Sequence, residues 1–421
     1  MKRRNFLTTT AAGALAPMVI SGLMQNTASA QTQSANQDNP KVKAIRNRIK
    51  PITADERLER MERARKHMAD QKIDALLLEG GVTLNYYSGA NWGRSERLFA
   101  MVLPRSGDPE FVAPKFEQTR ALEQVGSWKL RTWEEHESPF DLVAQILKDK
   151  GITTGTVGVE ETVRYFVSDK VSKSAPGLTM VSGTPVTAGC RSVKTAHELE
   201  LMQIANDILK EVYLSSLPTL KEGMTERELG TILTKLFADY GVEGGALVLF
   251  GEAAASPHGT VKVHTLQEGQ VVLMDGGCTV EGYNSDVSRT TVFGKPSDKM
   301  KKVFDIVYQA QTAALKTAKP GVPGQDMDAA ARKVIVDAGY GPDYKYFTHR
   351  VGHGIGMDGH EWYYLVRGNT RPVVANNTFS DEPGIYIPGE FGIRIEDELQ
   401  ITEDGARLML PPPVSLEEIF S

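Results

Sequence analysis

Two acidic residues in the second half of the chain are spaced so that a hairpin would bring them together. Asp275 and Asp286 lie at equal distances from a point between residues 280 and 281, beside the turn signal Glu281-Gly282. The flanking segments are predicted to be strands. A hairpin centred at that point would place the two carboxylates side by side across the strands.

A second acidic pair repeats this arrangement. Glu382 and Glu396 are equidistant from Gly389, which lies in a Pro-Gly-Glu turn signal. The same hairpin geometry predicts that they face each other. Four carboxylates that converge without cations would raise one another's pKa and oppose folding, and divalent metal removes that conflict.

A glycine-rich segment between the two pairs supplies imidazole groups. Three of the chain's eight histidines, His349, His353 and His360, fall within twelve residues there. A site with several carboxylates and one imidazole suits Mn²⁺, Zn²⁺, Co²⁺ or Fe²⁺. Two such ions bridged by shared carboxylates would activate one hydroxide and stabilise a tetrahedral intermediate.

Each of these features has a plainer interpretation when it is taken alone. An Asp beside glycine is usually a turn residue, a histidine in a glycine-rich loop is more often structural, and Glu-Pro-Gly is an ordinary turn. Their joint occurrence in this order favours a metal site.

The segment that precedes these motifs is predicted to be an α/β domain over residues 51–190. Thr53 and Glu56 form a capping box that opens a helix from Ala54 to about residue 71. Strands are predicted at residues 73–78, 98–103 and 110–113.

Residues 191–421 are predicted to form an α+β domain that carries the metal site. Capping boxes at 195–198 and 225–228 open two helices, the first of which is predicted to run through residue 210. Two more helices are predicted at about 298–318 and 326–338. Strand segments lie between and after these helices, and helices set apart from strand hairpins favour this class.

The beginning of the chain is predicted to be a sorting signal. The pair Arg3-Arg4 before Phe-Leu, an uncharged stretch and an Ala-Ser-Ala motif ending at Ala30 indicate a twin-arginine signal peptide over residues 1–30. Residues 31–50 are predicted to be a linker. We therefore expect a soluble periplasmic protein. A membrane anchor is the alternative, although the stretch is short for a span.

Composition excludes several other classes of protein. The 421 residues are 41% hydrophobic and 24% charged, near globular averages, which excludes disordered and collagen-like chains. The net charge is −5 without a charged tail, so we expect no nucleic acid partner and, after signal cleavage, no membrane partner. Two cysteines, Cys190 and Cys278, cannot make a disulfide framework.

Together these motifs resemble the metal-dependent "pita-bread" peptidases of family M24, which include methionine aminopeptidase, aminopeptidase P and prolidase, with the metal-free relative creatinase. The resemblance covers nearly the whole mature chain. It implies a pita-bread catalytic domain, with two related α/β halves around a curved sheet, after a smaller creatinase-type α/β domain. It also implies two divalent ions, Mn²⁺ being the first expectation, and five ligands: Asp275, Asp286, His353, Glu382 and Glu396, with Asp286 and Glu396 bridging.

The resemblance further assigns catalytic and substrate-binding roles. Glu382 resembles a metal ligand that also shuttles the proton as general base. His360 resembles the histidine that holds the scissile carbonyl or its oxyanion. His258 resembles a histidine near the amino-terminal side of the substrate and the scissile bond, and His349 a further pocket histidine.

Two arginines are candidates for binding a free substrate carboxylate, which a dipeptidase would need: Arg367 and Arg394. Because Arg394 stands two residues before Glu396, it is alternatively a residue that only orients ligands. The aromatic residues 362–364 are either a pocket for proline or plain core packing.

The retained ligands and the additional domain favour the Xaa-Pro peptidases, aminopeptidase P or prolidase, over methionine aminopeptidase and creatinase. The expected activity is hydrolysis of an Xaa-Pro bond in a proline-containing peptide or dipeptide by a metal-bridging hydroxide. Relatives are often dimers or tetramers, so a homo-oligomer is expected. Two alternatives stay open: a lyase or C–N hydrolase of the same fold that acts on a small osmolyte, and an inactive binding homologue.

Overall fold

The computed structural model of the protein describes residues 39–420. The predicted twin-arginine signal, residues 1–30, and part of the predicted linker lie outside the described residues. No helix among residues 39–420 combines the length and the apolar character of a membrane span. The first described element is a short helix, α1 (Pro40–Arg46).

Six strands form one mixed sheet in the amino-terminal domain. They are β1 (Ala75–Glu79), β2 (Ala100–Pro104), β3 (Glu110–Pro114), β4 (Lys129–Trp133), β5 (Gly155–Val159) and β6 (Leu178–Ser182). Their order in the sheet is β4-β3-β2-β1-β5-β6. β2 is antiparallel to both of its neighbours, and the other pairs are parallel.

Helices cover both faces of this sheet. They are α2 (Ala54–Asp70), α3 (Val82–Ser88), α4 (Gln118–Val125), α5 (Pro139–Asp149), α6 (Tyr165–Ser174) and α7 (Thr184–Arg191), with a 3₁₀ turn at Lys115–Glu117. Leu76 packs with Met61 of α2 in one apolar cluster, and Leu77 packs with Ile146 of α5 in another. Because alternate residues of a strand point to opposite faces, β1 is buried on both sides.

The carboxy-terminal domain begins with two helices packed on a four-stranded sheet. Its elements are α8 (Ala196–Ser216), α9 (Glu226–Asp239), β7 (Glu243–Phe250), β8 (Val271–Val280), β9 (Tyr283–Asn284) and β10 (Val287–Val292), with 3₁₀ turns at Leu217–Thr219 and Gly251–Ala255. β8 is central, with β7 and β10 at its sides and β9 paired at its end.

A second half repeats this layout with two helices and two further sheets. Its elements are α10 (Asp298–Thr317), α11 (Gly324–Asp337), β11 (Gly352–Gly354), β12 (Glu361–Leu365), β13 (Thr378–Asp381), β14 (Gly384–Ile387), β15 (Phe391–Arg394), β16 (Asp397–Ile401) and β17 (Ala406–Leu408). Five strands form a sheet in the order β12-β11-β13-β16-β17, and β14 pairs with β15.

The predicted capping boxes are confirmed at the start of α2, α8 and α9. The prediction that α8 ends near residue 210 is wrong, because the helix continues to Ser216. Val212 and Tyr213 are fully buried in the core, so the apolar face of the helix continues past residue 210. The predicted layout, an α/β domain followed by an α+β domain, is confirmed.

The two halves of the carboxy-terminal domain meet at the hairpins that carry the acidic residues. The Glu396 N–H donates to the Ser288 carbonyl at 3.1 Å, and the Thr290 hydroxyl donates to the Arg394 carbonyl at 2.9 Å. These bonds join β10 to the segment around β15. The acidic residues of both halves therefore face one another across this junction.

A buried ionic contact joins the two domains beside the glycine-rich segment. Arg191, at the end of α7, donates from Nη2 to Glu361 Oε1 at 2.5 Å, and Lys194 Nζ lies 3.0 Å from Glu361 Oε2. Glu361 also accepts from the N–H groups of Met357 and Asp358. Glu361, next to His360, is thus held by the end of α7 and by the segment between α7 and α8.

Candidate metal centre

All five predicted ligands bring potential metal-binding atoms together, and His360 joins them. In each of three overlapping sets, one ligand atom from every member lies within 4.8 Å of the others. The sets are Asp275, Asp286 and Glu396; His353, Glu382 and Glu396; and Asp286, His353 and His360. Because the sets share members, they form one continuous group, which we call the ligand cluster.

The first hairpin has a register that differs from the prediction by two residues. Asp275 in β8 pairs with Ser288 in β10, not with Asp286. The two turn residues are Glu281 and Gly282, both with positive φ (49° and 87°), so the hairpin is centred between them rather than before them. Asp286 therefore lies diagonally across from Asp275, two residues along the partner strand.

The second hairpin has the predicted register. Asp381 and Asp397 pair where β13 meets β16, and the pairing resumes in the same register between β14 and β15. Glu382 and Glu396 occupy the gap between the two ladders. They face each other there, as predicted.

Arg394 and Ser288 connect the carboxylates of the two hairpins. Arg394 donates from Nη2 to Asp275 Oδ2 at 2.7 Å and from Nε to Ser288 Oγ at 2.8 Å. Ser288 Oγ lies 2.6 Å from Glu396 Oε2 and 2.9 Å from Asp275 Oδ1. Burial would raise the pKa of Asp275, but the Arg394 guanidinium and the Ser288 hydroxyl hold it below its ordinary value.

The other three carboxylates experience the opposite electrostatic effect. Burial and the neighbouring acidic groups hold the pKa values of Asp286 and Glu396 well above their ordinary range. Burial also raises the pKa of Glu382 to about 7, although Arg394 opposes the shift. Divalent cations favour the ionised carboxylates and remove this penalty. Four carboxylates and one imidazole therefore fit divalent ions such as Mn²⁺ or Zn²⁺.

His353 presents an unprotonated ring nitrogen to these carboxylates. Its Nδ1 lies 3.0 Å from the Gly354 carbonyl, which can only accept, so Nδ1 carries the proton. Nε2 lies 3.4 Å from Glu382 Oε1 and 3.8 Å from Asp286 Oδ2. Burial and the nearby His360 lower the pKa of His353 to about 3, so the ring is neutral at pH 7. This is the state that a metal ligand needs.

Both ring nitrogens of His349 are engaged within the protein. Nδ1 donates to the Arg350 carbonyl at 2.8 Å, so Nε2 accepts from the Tyr386 hydroxyl at 2.7 Å. Tyr386 in turn accepts from Arg394 Nη1 at 3.0 Å. Burial and Arg394 lower the pKa of His349 to about 3. A chain of hydrogen bonds thus runs from Arg394 through Tyr386 and fixes the tautomer of His349.

His360 and His258 lie on the exposed side of the ligand cluster. The His360 ring centre is 3.9 Å from that of His353, and desolvation together with the charge of Arg350 lowers the pKa of His360. His258 is an exposed turn residue. The preceding residue, Pro257, accepts from Arg394 Nη1 at 3.2 Å, which anchors the turn of His258 beside the cluster.

The two predicted carboxylate-binding arginines have very different surroundings. The side chain of Arg367 is 57% exposed and pairs with Asp343 at 2.7 Å. Arg394 is 2% exposed, and its guanidinium donates to four partners: Asp275, Ser288, Tyr386 and Pro257. These contacts favour the alternative in which Arg394 orients ligands.

The three aromatic residues 362–364 are not fully buried, so plain core packing does not describe them. A guanidinium lies over each ring, at these distances from the ring centre: Arg191 at 5.2 Å over Trp362, Arg371 at 3.7 Å over Tyr363 and Arg350 at 4.1 Å over Tyr364. A pocket for proline in this segment stays a prediction.

Comparison with known proteins connects this geometry to a family. Residues 200–403 match the model of metallopeptidase family M24, and residues 60–193 match that of the creatinase/prolidase N-terminal domain. An uncharacterized peptidase of Schizosaccharomyces pombe is 38% identical over 360 residues, which cover 80% of this chain and 78% of that protein. The chain belongs to metallopeptidase family M24.

Solved structures agree with the M24 assignment. The dipeptidase PepE from Mycobacterium ulcerans is 33% identical with a TM-score of 0.82, and the match covers 88% of this chain and all of that one. The Xaa-Pro dipeptidase from Bacillus anthracis is 28% identical with a TM-score of 0.74, covering 84% and 97%. The predicted pita-bread catalytic domain after a creatinase-type domain is confirmed, and this M24 chain is an enzyme of a metal-dependent peptidase family.

Three residues at the ligand cluster were not predicted from the sequence: Ser288, Tyr386 and Arg350. Ser288 stands two residues after Asp286, and residues two apart on a strand share a face, so alternation offered a signal for it. Tyr386 and Arg350 offered no comparable signal, because their contacts depend on how separate segments pack.

Proposed function

We propose that the protein hydrolyses Xaa-Pro peptide bonds with two divalent ions, of which Mn²⁺ is the first expectation. The observation that carries the proposal is the convergence of all five candidate ligands in overlapping sets whose atoms lie within 4.8 Å. Asp275, Asp286 and Glu396 would hold one ion. His353, Glu382 and Glu396, with Asp286 shared, would hold the other.

The chemistry that bound divalent ions supply in such a site is activation of water and polarisation of a carbonyl. Glu382 is the candidate for moving the proton. Its Oε1 accepts from Ser380 Oγ at 3.1 Å, and its Oε2 lies 3.8 Å from His349 Nδ1. A carboxylate oriented in this way can take a proton from water and deliver it to the leaving nitrogen.

His360 and His258 are proposed to contact the substrate. The lowered pKa of His360 keeps its imidazole neutral at pH 7, so one ring nitrogen can donate to the scissile carbonyl or its oxyanion. His258, on the anchored turn, would face the amino-terminal side of the scissile bond. Both side chains are exposed, so a peptide can reach them.

The names of the structural neighbours support a peptide substrate with a short chain. PepE from Mycobacterium ulcerans is named a dipeptidase, and the neighbour from Bacillus anthracis is named an Xaa-Pro dipeptidase. We propose the same class of substrate for this protein.

The deciding experiment uses protein that begins at Gln31, stripped of metal and reloaded with Mn²⁺, Co²⁺ or Zn²⁺. Proline release from Ala-Pro is followed beside amino-acid release from a longer Xaa-Pro-Yaa peptide, and Asp286→Ala serves as the inactive control. Metal-dependent cleavage that the control lacks is the expected result. Tight metal binding without cleavage of either peptide would contradict the proposal and favour a small-molecule substrate.

We also propose that the protein is exported to the periplasm by the twin-arginine route and assembles as a homo-oligomer. Replacing Arg3 and Arg4 by lysine should leave the protein in the cytoplasm, and unchanged periplasmic protein would contradict the export proposal. Light scattering after size-exclusion chromatography would give the oligomeric state, and a monomer would contradict that part.

A further inference from the structure

Two buried residues of α11 form an ion pair next to the segment that carries His349 and His353. Asp328 and Arg332 are 2% and 5% exposed, and one turn of the helix separates them. Arg332 donates from Nε to Asp328 Oδ2 at 3.1 Å and from Nη2 to Asp328 Oδ1 at 2.9 Å. These two parallel hydrogen bonds fix the plane of the guanidinium. We call the two residues the α11 clamp.

The other donors of Arg332 bind backbone carbonyls outside the helix. Nη1 donates to the carbonyl of Phe347 at 2.8 Å and to that of Asp343 at 3.3 Å. Nη2 also donates to the carbonyl of His349 at 2.8 Å. All five N–H groups of the guanidinium therefore have an acceptor within the protein. Arg332 thus holds residues 343–349 and has no donor left for a ligand.

Asp328 contacts the same segment two residues further along the chain. Its Oδ1 accepts from the Val351 N–H at 3.0 Å. The Val351 carbonyl in turn accepts from the Glu382 N–H at 2.8 Å. His353 lies two residues after Val351. The clamp therefore reaches two candidate metal ligands through one intervening residue.

The segment that the clamp holds has no regular secondary structure. Residues 338–351 lie between α11 and β11 and contain neither helix nor strand. No regular ladder of backbone hydrogen bonds therefore fixes the position of His349. A buried ion pair adds little stability compared with well-packed apolar side chains of the same size. The contacts of the clamp thus explain the position of this segment better than they explain the stability of the domain.

We propose that Asp328 and Arg332 are positioning residues for the proposed two-ion hydrolysis, on which this inference rests. The clamp sets the positions of His353 and Glu382, two candidate ligands of the same ion. It acts through the backbone of Val351 and its neighbours and does not touch the substrate. Residues that orient a metal ligand typically contribute about 10- to 100-fold to metal affinity or activity.

The first test replaces both members of the clamp at once, in the double variant Asp328→Leu with Arg332→Met. This variant leaves no buried charge unpaired, so the protein should still fold. Calorimetric titration of the apo protein with Mn²⁺ gives the affinity of each binding step without turnover. One step should weaken about 10- to 100-fold. The other step, which depends on Asp275 and Asp286, should change little.

A conservative variant has a matched control in the other domain. Arg332→Lys keeps the charge beside Asp328, but lysine cannot also reach the carbonyls of Phe347 and His349, so it should weaken the same step. Arg131 of β4 bridges Glu110 and Asp149 in the amino-terminal domain. Arg131→Lys should keep the wild-type affinity of both steps.

Kinetics distinguish a positioning role from substrate binding. At saturating Mn²⁺, both clamp variants should lower kcat on Ala-Pro about 10- to 100-fold with KM nearly unchanged, because displaced ligands change the reacting geometry. Equal weakening of both metal-binding steps, together with a lower melting temperature, would mean that the clamp only supports folding and would overturn the proposal. Unchanged affinities and an unchanged kcat would overturn it as well.

Ring signals of the eight histidines separate this proposal from the proposed reaction. In apo protein labelled with ¹³C at histidine Cε1, the signals of His349 and His353 should move in the double variant. Those of His67 and His136, in the amino-terminal domain, should not. If these shifts occur and no peptide is cleaved, or if the wild type binds a single ion, only the proposed reaction fails. Unmoved signals of His349 and His353 would overturn the role of the clamp.

Discussion

Arg394 and Asp275 form an ion pair inside the ligand cluster, with 2.7 Å between Nη2 and Oδ2. The pair explains why the pKa of Asp275 is lowered, although the same burial raises the pKa values of Asp286 and Glu396. Asp275 is therefore ionised at neutral pH before a cation binds. The other carboxylates need the cation to ionise fully.

Replacing Arg394 by lysine should weaken metal binding about 10- to 100-fold, as is typical when a partner of a metal ligand is lost. Lysine keeps the charge but cannot contact Asp275, Ser288 and Tyr386 at once. Competition with a chromophoric chelator measures the affinity. Arg407→Lys, on a strand away from the cluster, is the control. Unchanged affinity in Arg394→Lys would contradict the orienting role.

Metal binding should release protons, because the apo cluster holds carboxyls with raised pKa values. The pKa of Glu382 is about 7, and those of Asp286 and Glu396 are well above their ordinary range. Ligation requires the ionised forms, so apparent affinity should increase from pH 5 to pH 8. Calorimetry at pH 6 in buffers of different ionisation enthalpy counts the protons. Release of none would contradict this picture of the apo cluster.

His360→Ala should lower kcat about 10²- to 10³-fold while the bound metal stays constant, because an oxyanion donor acts on the transition state. Metal content by mass spectrometry and kcat on Ala-Pro are measured together. His264→Ala is the matched control, because His264 pairs with Glu226 and does not belong to the ligand cluster. A loss of metal in His360→Ala would instead indicate that His360 is a ligand.

The contact of Glu361 with Arg191 and Lys194 should make stability depend on acid pH. Burial would raise the pKa of Glu361, but the two cations lower it to about 2, against about 4.3 in an unfolded chain. Its stabilisation, on the order of 3 kcal/mol, is therefore complete above about pH 4.3 and lost as the pH falls toward 2. Urea unfolding at pH 7 and pH 3 measures the change.

Glu361→Gln provides the matching variant. It leaves Arg191 and Lys194 without a buried counter-charge, so it should be markedly less stable at pH 7 and should show a weaker acid dependence than the wild type. Glu390→Gln, which affects only an exposed pair with Lys299, should match the wild type at both pH values. If the free energy of unfolding of Glu361→Gln fell with acid as much as that of the wild type, groups other than Glu361 would cause the pH dependence.

The hairpins illustrate how far the sequence leads. The equal spacing of Glu382 and Glu396 around Gly389 predicts that the two residues face each other. The structure has this register, because the hairpin is centred on Gly389. The same reasoning gives a register that is wrong by two residues for Asp275 and Asp286. The register depends on the two residues that form the turn. Glu281 is one of them, and it has a positive φ that glutamate does not favour.

Contacts between segments that are distant in the chain could not be predicted from the sequence. Arg350 reads as an ordinary charged residue, and its place beside His360 and Tyr364 depends on the packing of the strands after it. Arg394 was proposed either to bind substrate or to orient ligands, and only its burial against Asp275 and Ser288 distinguishes the two. Residue type and spacing predict which groups converge, whereas the charge balance around each group requires coordinates.

The division of the ligands between two hairpins has a consequence for how the protein matures. Asp275 and Asp286 precede α10, whereas Glu382 and Glu396 follow α11. Neither half therefore contains all of the candidate ligands. A nascent chain that has made only the first hairpin holds at most two carboxylates. The complete set of ligand atoms therefore forms only when both halves have folded against each other.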